Sequence, residues 1–373
     1  MDLVKSDKRK EVLKSMEEVL ENRGGKLYIY GCSCTAGMIT EFIQGNSSLT
    51  VEGYVVDDLY YKNENFKGKC VYKRSTWEKN LKEGDNVVFG FTGSKRAKEL
   101  EKELPSVVSC VYFHFPYSAN VDGSYLTYDF YKEQEEKFEK AYDSLADGRS
   151  KNIMTAFMNA CISGDTEELD KLQSDGQYFN ELTENCKKGC FIDCGAYIGD
   201  TIEEAVTFFG DRLERVIAFE PDGENLQALS ERMEKLNIKE DRLSLIQKGS
   251  YSKKAVLHFS SSDSSSSISD EGELEISVDS VDSVVDEKDS VSFIKMDVEG
   301  SEKESLLGAA ETIKRDCPIL AVCVYHKPED LYELTELIRE LTKGAEYRFY
   351  LRYHGPDLRE LVFYAIPVQK EEG

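Results

Sequence analysis

The segment from Phe191 to Thr201, Phe-Ile-Asp-Cys-Gly-Ala-Tyr-Ile-Gly-Asp-Thr, constrains this chain more than any other. An apolar strand, Cys190 to Cys194, carries one acid, Asp193, near its end, then turns through Gly195 and Gly199 into a helix beginning near Thr201. Such a strand belongs inside a parallel α/β sheet, and the glycine turn is where these sheets offer backbone to a ligand. The glycines predict a tight turn and close approach of the ligand, whose place any side chain there would occupy. The spacing is D-x-G-x-x-x-G, not the G-x-G-x-x-G of dinucleotide sites. Asp193 would repel a pyrophosphate, whereas the sulfonium and α-amino group of S-adenosylmethionine (SAM) suit an acidic turn.

Two further strand ends carry acids. Ile217-Ala218-Phe219-Glu220-Pro221 places Glu220 21 residues past Gly199, where Rossmann-like sheets present a carboxylate to a ribose diol. Pro221 stiffens the exit. A glutamate that merely supports the next helix N-terminus is the bland alternative. In Phe293-Ile294-Lys295-Met296-Asp297-Val298-Glu299-Gly300-Ser301-Glu302 a third buried strand ends in carboxylates. Asp297 and Glu299, two apart, share a face if the backbone is extended. They are candidates to orient the methionine part of SAM or to take an acceptor's proton; Glu299 and Glu302 are equally suited to a helix N-terminus.

In this order the three segments resemble the FkbM family of SAM-dependent methyltransferases, Asp-Val-Glu-Gly being the most telling part. The resemblance spans about Gly189 to Pro367. It implies a class I methyltransferase fold, SAM as cofactor, and O-methylation of a hydroxyl on a sugar, glycan or polyketide-like small molecule. By that similarity Asp193, Gly195 and Gly199 line the methionine end of the cofactor and Glu220 holds its ribose. Ala196, Pro221, Asp297 and Glu299 complete the expected cofactor set. Where many relatives carry a glutamate-containing strand, this chain reads Leu320 to Pro328 with His326 at its end. His326 is either the general base, its ordinary pKa near 6.5 suiting that task, or a packing histidine. The catalytic candidates are therefore Asp297 and His326.

The rest of the chain divides by pattern into an N-terminal helix (1–23), a smaller Rossmann-like α/β unit (24–120), a helical connector (121–187) and the methyltransferase unit (188–373). The smaller unit shows strands at Lys26–Tyr30, Val51–Val56, Asn86–Phe91 and Val107–Phe113, with helices between. Gly31-x-Ser33-x-x-Ala36 is a degraded dinucleotide fingerprint with Asp57 beyond it, and docking, acceptor recognition or dimerisation is expected of this unit ahead of nucleotide binding. In the larger unit, strands at Leu243–Lys248, Val256–Phe259, Phe293–Met296 and Ile319–Val324 are expected to extend the parallel set. Tyr347–Tyr353 and Leu361–Ile366 are expected to close it as an antiparallel pair. Ser260 to Ser269 reads as a mobile loop.

Composition narrows the partners. With 71 acidic and 47 basic side chains the formal charge is −24, which disfavours nucleic acid. No apolar leader or 18-residue apolar run is visible, so a cytoplasmic chain with no membrane partner is expected. Ten cysteines suit a reducing compartment. Cys186, Cys190 and Cys194 fall four apart but lack a fourth ligand at zinc spacing, and methyl transfer from SAM needs no metal. A homo-oligomer is left open. Two competing readings remain: an NAD(P)-linked oxidoreductase working from the N-terminal unit, and a non-catalytic SAM or nucleotide binder.

Overall fold

In the computed structural model, residues 3–4, 8–91, 94–112, 126–163, 165–236, 238–262, 265–268, 274–356 and 358–368 are described. After α1 (Lys8–Arg23) come β1 (Leu27–Tyr30), α2 (Cys34–Asn46), β2 (Val51–Val56), β3 (Asn65–Phe66), β4 (Lys69–Lys73), α3 (Arg74–Trp77), β5 (Asn86–Phe89), α4 (Ser94–Glu103) and β6 (Ser109–Tyr112). They form one sheet in the order β3-β4-β2-β1-β5-β6, parallel except for β3. The expected strands and helices of this unit are present; Phe113, the expected end of the last strand, lies outside the described residues.

The connector is helical: α5 (Tyr128–Glu133), α6 (Glu135–Ser144), α7 (Gly148–Ser163) and α8 (Glu167–Asp170). The pause before α7 has a use. Asp147 pairs with Arg352 (2.8 Å), and Ser150 Oγ accepts from the backbone of Leu351 (2.9 Å). The connector thereby covers the outer edge of the second large sheet, an edge that would otherwise invite pairing with another chain.

The remaining elements follow: β7 (Gly189–Cys194), α9 (Asp200–Phe209), β8 (Leu213–Phe219), α10 (Gly223–Lys235), β9 (Leu243–Ile246), β10 (Gly249–Ser250), β11 (Ala255–Ser262), β12 (Ser265–Ile268), β13 (Leu274–Asp279), α11 (Val281–Val284), β14 (Val291–Met296), α12 (Glu302–Leu307), α13 (Ala310–Asp316), β15 (Ile319–Cys323), α14 (Asp330–Leu341), β16 (Tyr347–Tyr353) and β17 (Leu361–Pro367). Seven strands are ordered β16-β17-β15-β14-β7-β8-β9. From β9 to β15 they run parallel, and β17 and β16 close the sheet antiparallel as expected. The order reverses between β7 and β14, the switch point where open α/β sheets bind ligands beyond their carboxyl ends.

Strand alternation divides the core. Cys190, Ile192, Cys194, Ile294 and Met296 face one apolar layer, and Phe191 and Phe293 the other. The same alternation puts Asp193 and Lys295 on the phenylalanine face. The three spaced cysteines are thus strand and loop packing: Cys186 Sγ donates to the Ser292 carbonyl, while Cys190 and Cys194 are buried.

One expectation fails. The strand at Val256–Phe259 does not extend the parallel set. Residues 247–254 separate β9 from β11, too few for a crossover, which takes roughly a dozen residues or more. Instead β11 pairs antiparallel with β13 and with β12 in a separate four-stranded sheet. The serine-rich stretch, expected as a mobile loop, supplies this hairpin: Ser260 to Ser262 pair with Ser265 to Ser267. Serine-rich composition signalled polarity, not want of structure. The strand β13 carried no recognised signal. Positions 263, 264 and 269 of that stretch lie outside the described residues.

Candidate active site

A cavity of about 690 Å³ opens at the carboxyl ends of β7, β8 and β14. Gly195, Glu220, Pro221, Asp297 and Glu299 line it, so five of the expected site residues converge. Tyr197, Lys295, Gln177, Tyr178 and Glu360 line it too.

Glu220 spans the mouth of the turn. Its Oε2 accepts from the Tyr197 N–H (2.8 Å) and its Oε1 from the Asp222 N–H (3.0 Å). A carboxylate has about four acceptor positions, so two backbone bonds orient it and leave capacity for a diol. The helix N-terminus has its own cap, Asp222, whose side chain accepts from Glu224 and Asn225, which removes the capping explanation for Glu220.

Asp193 is not on the cavity wall. It is fully buried, and the register of β14 against β7 pairs it with Lys295. Lys295 Nζ lies 3.1 Å from Asp193 Oδ1 and donates to the Gly195 carbonyl at 2.7 Å. Burial lifts the Asp193 carboxyl to about 6, with Lys295 opposing the rise. Burial would lower the ammonium, but Asp193 and Asp297 outweigh it and hold Lys295 charged. The acid expected to meet the sulfonium therefore neutralises a lysine, and the lysine fastens the turn.

The glycines also serve close packing between elements. At Gly195 (φ +87°) an added Cβ would fall 1.9 Å from the Asp297 carbonyl oxygen, so the residue lets two strand ends approach each other. At Gly199 (φ +79°) it would meet Leu229 at 3.0 Å and Met233 at 3.1 Å on α10. Ala196 is buried and its N–H donates to the Phe219 carbonyl. Neither Gly199 nor Ala196 lines the cavity.

Asp297 is the central acid. Its Oδ2 accepts from the Tyr178 hydroxyl at 3.2 Å, while Oδ1 has no hydrogen-bond partner. Glu299 does not continue an extended strand beside it: its φ is +53°, one of three left-handed non-glycine residues at the cavity, with Tyr197 and Glu360. Strained backbone of this kind costs about 1–3 kcal/mol per residue and concentrates at functional sites. Glu302 does not merely support a helix. It is buried, accepts from the Val298 N–H at 2.9 Å, and lies 2.9 Å from His326 Nδ1.

His326 is only 2% exposed. Burial would lower its pKa, but the carboxylates of Glu302, Asp297 and Glu299 reverse this and push it up to about 10. These carboxylates favour the protonated ring, the form that does not act as a base.

Of the wall residues that escaped sequence reasoning, Lys295 and Tyr178 did so for different reasons. Lys295 was visible as a lone charge inside an apolar strand. Tyr178 left no signal, because the segment after α8 returns over the sheet through Ser174, whose N–H donates to the Tyr353 carbonyl at 2.8 Å. In the N-terminal sheet Gly31, Ser33 and Asp57 line a second cavity of about 550 Å³. Asp57 there accepts from the Tyr30 hydroxyl at 2.6 Å, and Ser33 caps α2.

Residues 193–351 match, and are similar to, the methyltransferase FkbM domain. The crystal structure of methyltransferase FkbM from Methylobacillus flagellatus KT superposes with a TM-score of 0.72 at 21% identity, covering 93% of this chain and 92% of that one. That likeness extends the shared fold through the N-terminal sheet. Shorter structures align with about half of this chain: an rRNA methylase from Streptococcus thermophilus (TM-score 0.33, 16% identity, 50% of this chain and 93% of that one) and a SAM dependent methyltransferase from Aquifex aeolicus (TM-score 0.31, 16% identity, 55% and 99%). No curated protein matches. Among the described residues no helix is long and apolar enough to cross a membrane.

Proposed function

We propose that the cavity binds SAM and that the protein methylates a hydroxyl of a small-molecule or glycan acceptor. The observation that carries this reading is the convergence of Glu220, the Gly195 turn and Asp297 on one cavity at the sheet's switch point. The residues fit the ligand. Glu220 retains acceptor capacity for a ribose diol, and Asp297 Oδ1 is a carboxylate oxygen with no hydrogen-bond partner. Bound there, SAM supplies a methyl group already activated by the sulfonium, so no separate activation of the leaving group is needed.

The chain's own work is alignment and proton removal. Lys295 fixes the turn, Tyr178 fixes Asp297, and Asp297 accepts the acceptor's proton. The new oxygen–carbon bond forms as the sulfur–carbon bond breaks, leaving S-adenosylhomocysteine. The N-terminal sheet and the connector are read as separate units that recognise the acceptor or a second copy of the chain, in a cytoplasmic enzyme.

Thermal unfolding with S-adenosylhomocysteine, SAM and NAD added separately tests the reading. A ligand at 100 times its Kd stabilises the native state by about 2.7 kcal/mol. Stabilisation is expected with the two sulfur compounds, and Glu220→Ala should weaken it tenfold or more. Stabilisation by NAD alone would transfer the function to the N-terminal cavity.

A further inference from the structure

The N-terminal sheet repeats the arrangement that makes the larger one a binding site. Its strand order reverses between β1 and β5, and the cavity of about 550 Å³ opens at the carboxyl ends of β1 and β2 beside that reversal. Gly31 (φ +121°) keeps the two strand ends close, since a Cβ there would fall 2.9 Å from the Gly90 carbonyl oxygen. Asp57, just past β2, stands where Glu220 stands after β8. Its Oδ1 accepts from the Tyr30 hydroxyl at 2.6 Å and from Arg74 Nη1 at 3.5 Å, whereas Oδ2 meets Arg96 Nη2 at 3.8 Å. Arg96 comes from α4, donates through Nη1 to Glu103 (3.1 Å), and is 45% exposed at the cavity. Its Nη2 and Nε make no hydrogen bond among the described residues. Tyr60, 66% exposed, and Phe91 line the cavity too. Charge is segregated as well: residues 1–120 carry 18 basic and 17 acidic side chains, so the net negative charge falls on the remainder. An anion is repelled less here than at the carboxylate-lined first cavity.

We propose that this cavity is a second binding site, for a mononucleotide, with Arg96 on the phosphate, Asp57 Oδ2 on a ribose hydroxyl, and Tyr60 and Phe91 beside the base. A guanidinium with donors to spare pairs with phosphate oxygens two at a time. A carboxylate oxygen at this strand end accepts from a ribose hydroxyl, and exposed aromatic rings hold a base by stacking. A dinucleotide fits less well. Ser33 stands where its pyrophosphate needs a glycine for close approach. The Ser33 hydroxyl is spent within the turn, accepting from the Ala36 N–H at 3.4 Å and donating to the Gly90 carbonyl at 3.0 Å. A mononucleotide, its phosphate on an arginine instead of over the turn, avoids that position. The site is independent of the methyl-transfer reading of the first cavity.

Calorimetric titration of the full-length protein with ADP, GDP, UDP and CDP in turn tests the site. At least one should bind at one per chain, and at least tenfold more tightly than NAD or inorganic pyrophosphate. Arg96→Gln should weaken that nucleotide at least tenfold; the side chain is half exposed, so this variant keeps the fold. Asp57→Asn should weaken it and remove its advantage over the matching 2′-deoxynucleotide, a difference that a merely structural role would not produce. Glu220→Ala, which disables the first cavity, should leave nucleotide binding unchanged. Failure of all four nucleotides to bind, binding indifferent to Arg96→Gln, or binding lost in Glu220→Ala would each overturn the proposal. S-adenosylhomocysteine titrated into the same protein reports on the first cavity alone, so either site can fail without the other.

Discussion

Lys295 and Asp193 are cross-strand partners whose charges meet 3.1 Å apart inside the sheet. The lysine also reaches the carbonyl of Gly195, so one buried pair anchors the turn on which the cavity depends. Lys295→Met should strand Asp193 without its counter-charge. Breaking a buried pair costs about 3–5 kcal/mol, and urea unfolding should show a loss of that order. Asp193→Asn added to Lys295→Met should recover part of it, because the stranded charge is gone.

The two turn glycines should respond unequally to alanine. Gly195→Ala drives a methyl into the Asp297 carbonyl at 1.9 Å, whereas Gly199→Ala meets side chains, not backbone, at 3.0 and 3.1 Å. Calorimetric titration with S-adenosylhomocysteine should find binding abolished in Gly195→Ala and weakened less in Gly199→Ala. Equal effects would count against the strand-end contact as the reason for Gly195.

Tyr178→Phe removes the hydrogen bond to Asp297 together with the hydroxyl's contacts to Gln177 Nε2 (3.0 Å) and Cys323 Sγ (3.5 Å), and no packing. A hydrogen bond to a charged group is worth about 1.5–3 kcal/mol, so kcat should fall tenfold or more while the Kd for S-adenosylhomocysteine stays put. Steady-state kinetics together with calorimetry separates these quantities.

His354 offers a pH signature distinct from the active site. Burial lowers its pKa to about 4, against an ordinary value near 6.5, despite its contact with the Ser174 carbonyl. The unfolded chain therefore binds a proton between these values that the native state refuses. Stability should fall as pH drops from about 6.5 toward 4, by about 2 kcal/mol at pH 5. In His354→Gln that component should be absent, so it should appear as the difference between the two stability–pH curves. Coincident curves would refute the assignment.

The sequence exposed the scaffold better than the chemistry. Apolar runs ending in Asp193, Glu220 and Asp297 identified β7, β8 and β14, because strands buried on both faces are nearly continuous in composition. The roles of Asp193, Gly195, Gly199 and His326 depended on what faces them across the fold: Lys295, the Asp297 carbonyl, α10 and Glu302. Those partners are set by sheet register and helix packing, which composition does not encode locally. The hairpin at Ser260 was hidden for a related reason, since β11 pairs with β12 on one side and β13 on the other instead of filling a layer of the large sheet.

The return of the connector over the cavity has a practical consequence for any attempt to shorten the protein. The recognisable family stretch begins at residue 193, inside β7, and ends at residue 351, inside β16. A fragment cut there discards Gln177 and Tyr178 on one wall and Glu360 on another. The smallest transplantable catalyst is therefore longer at both ends than the part that can be recognised.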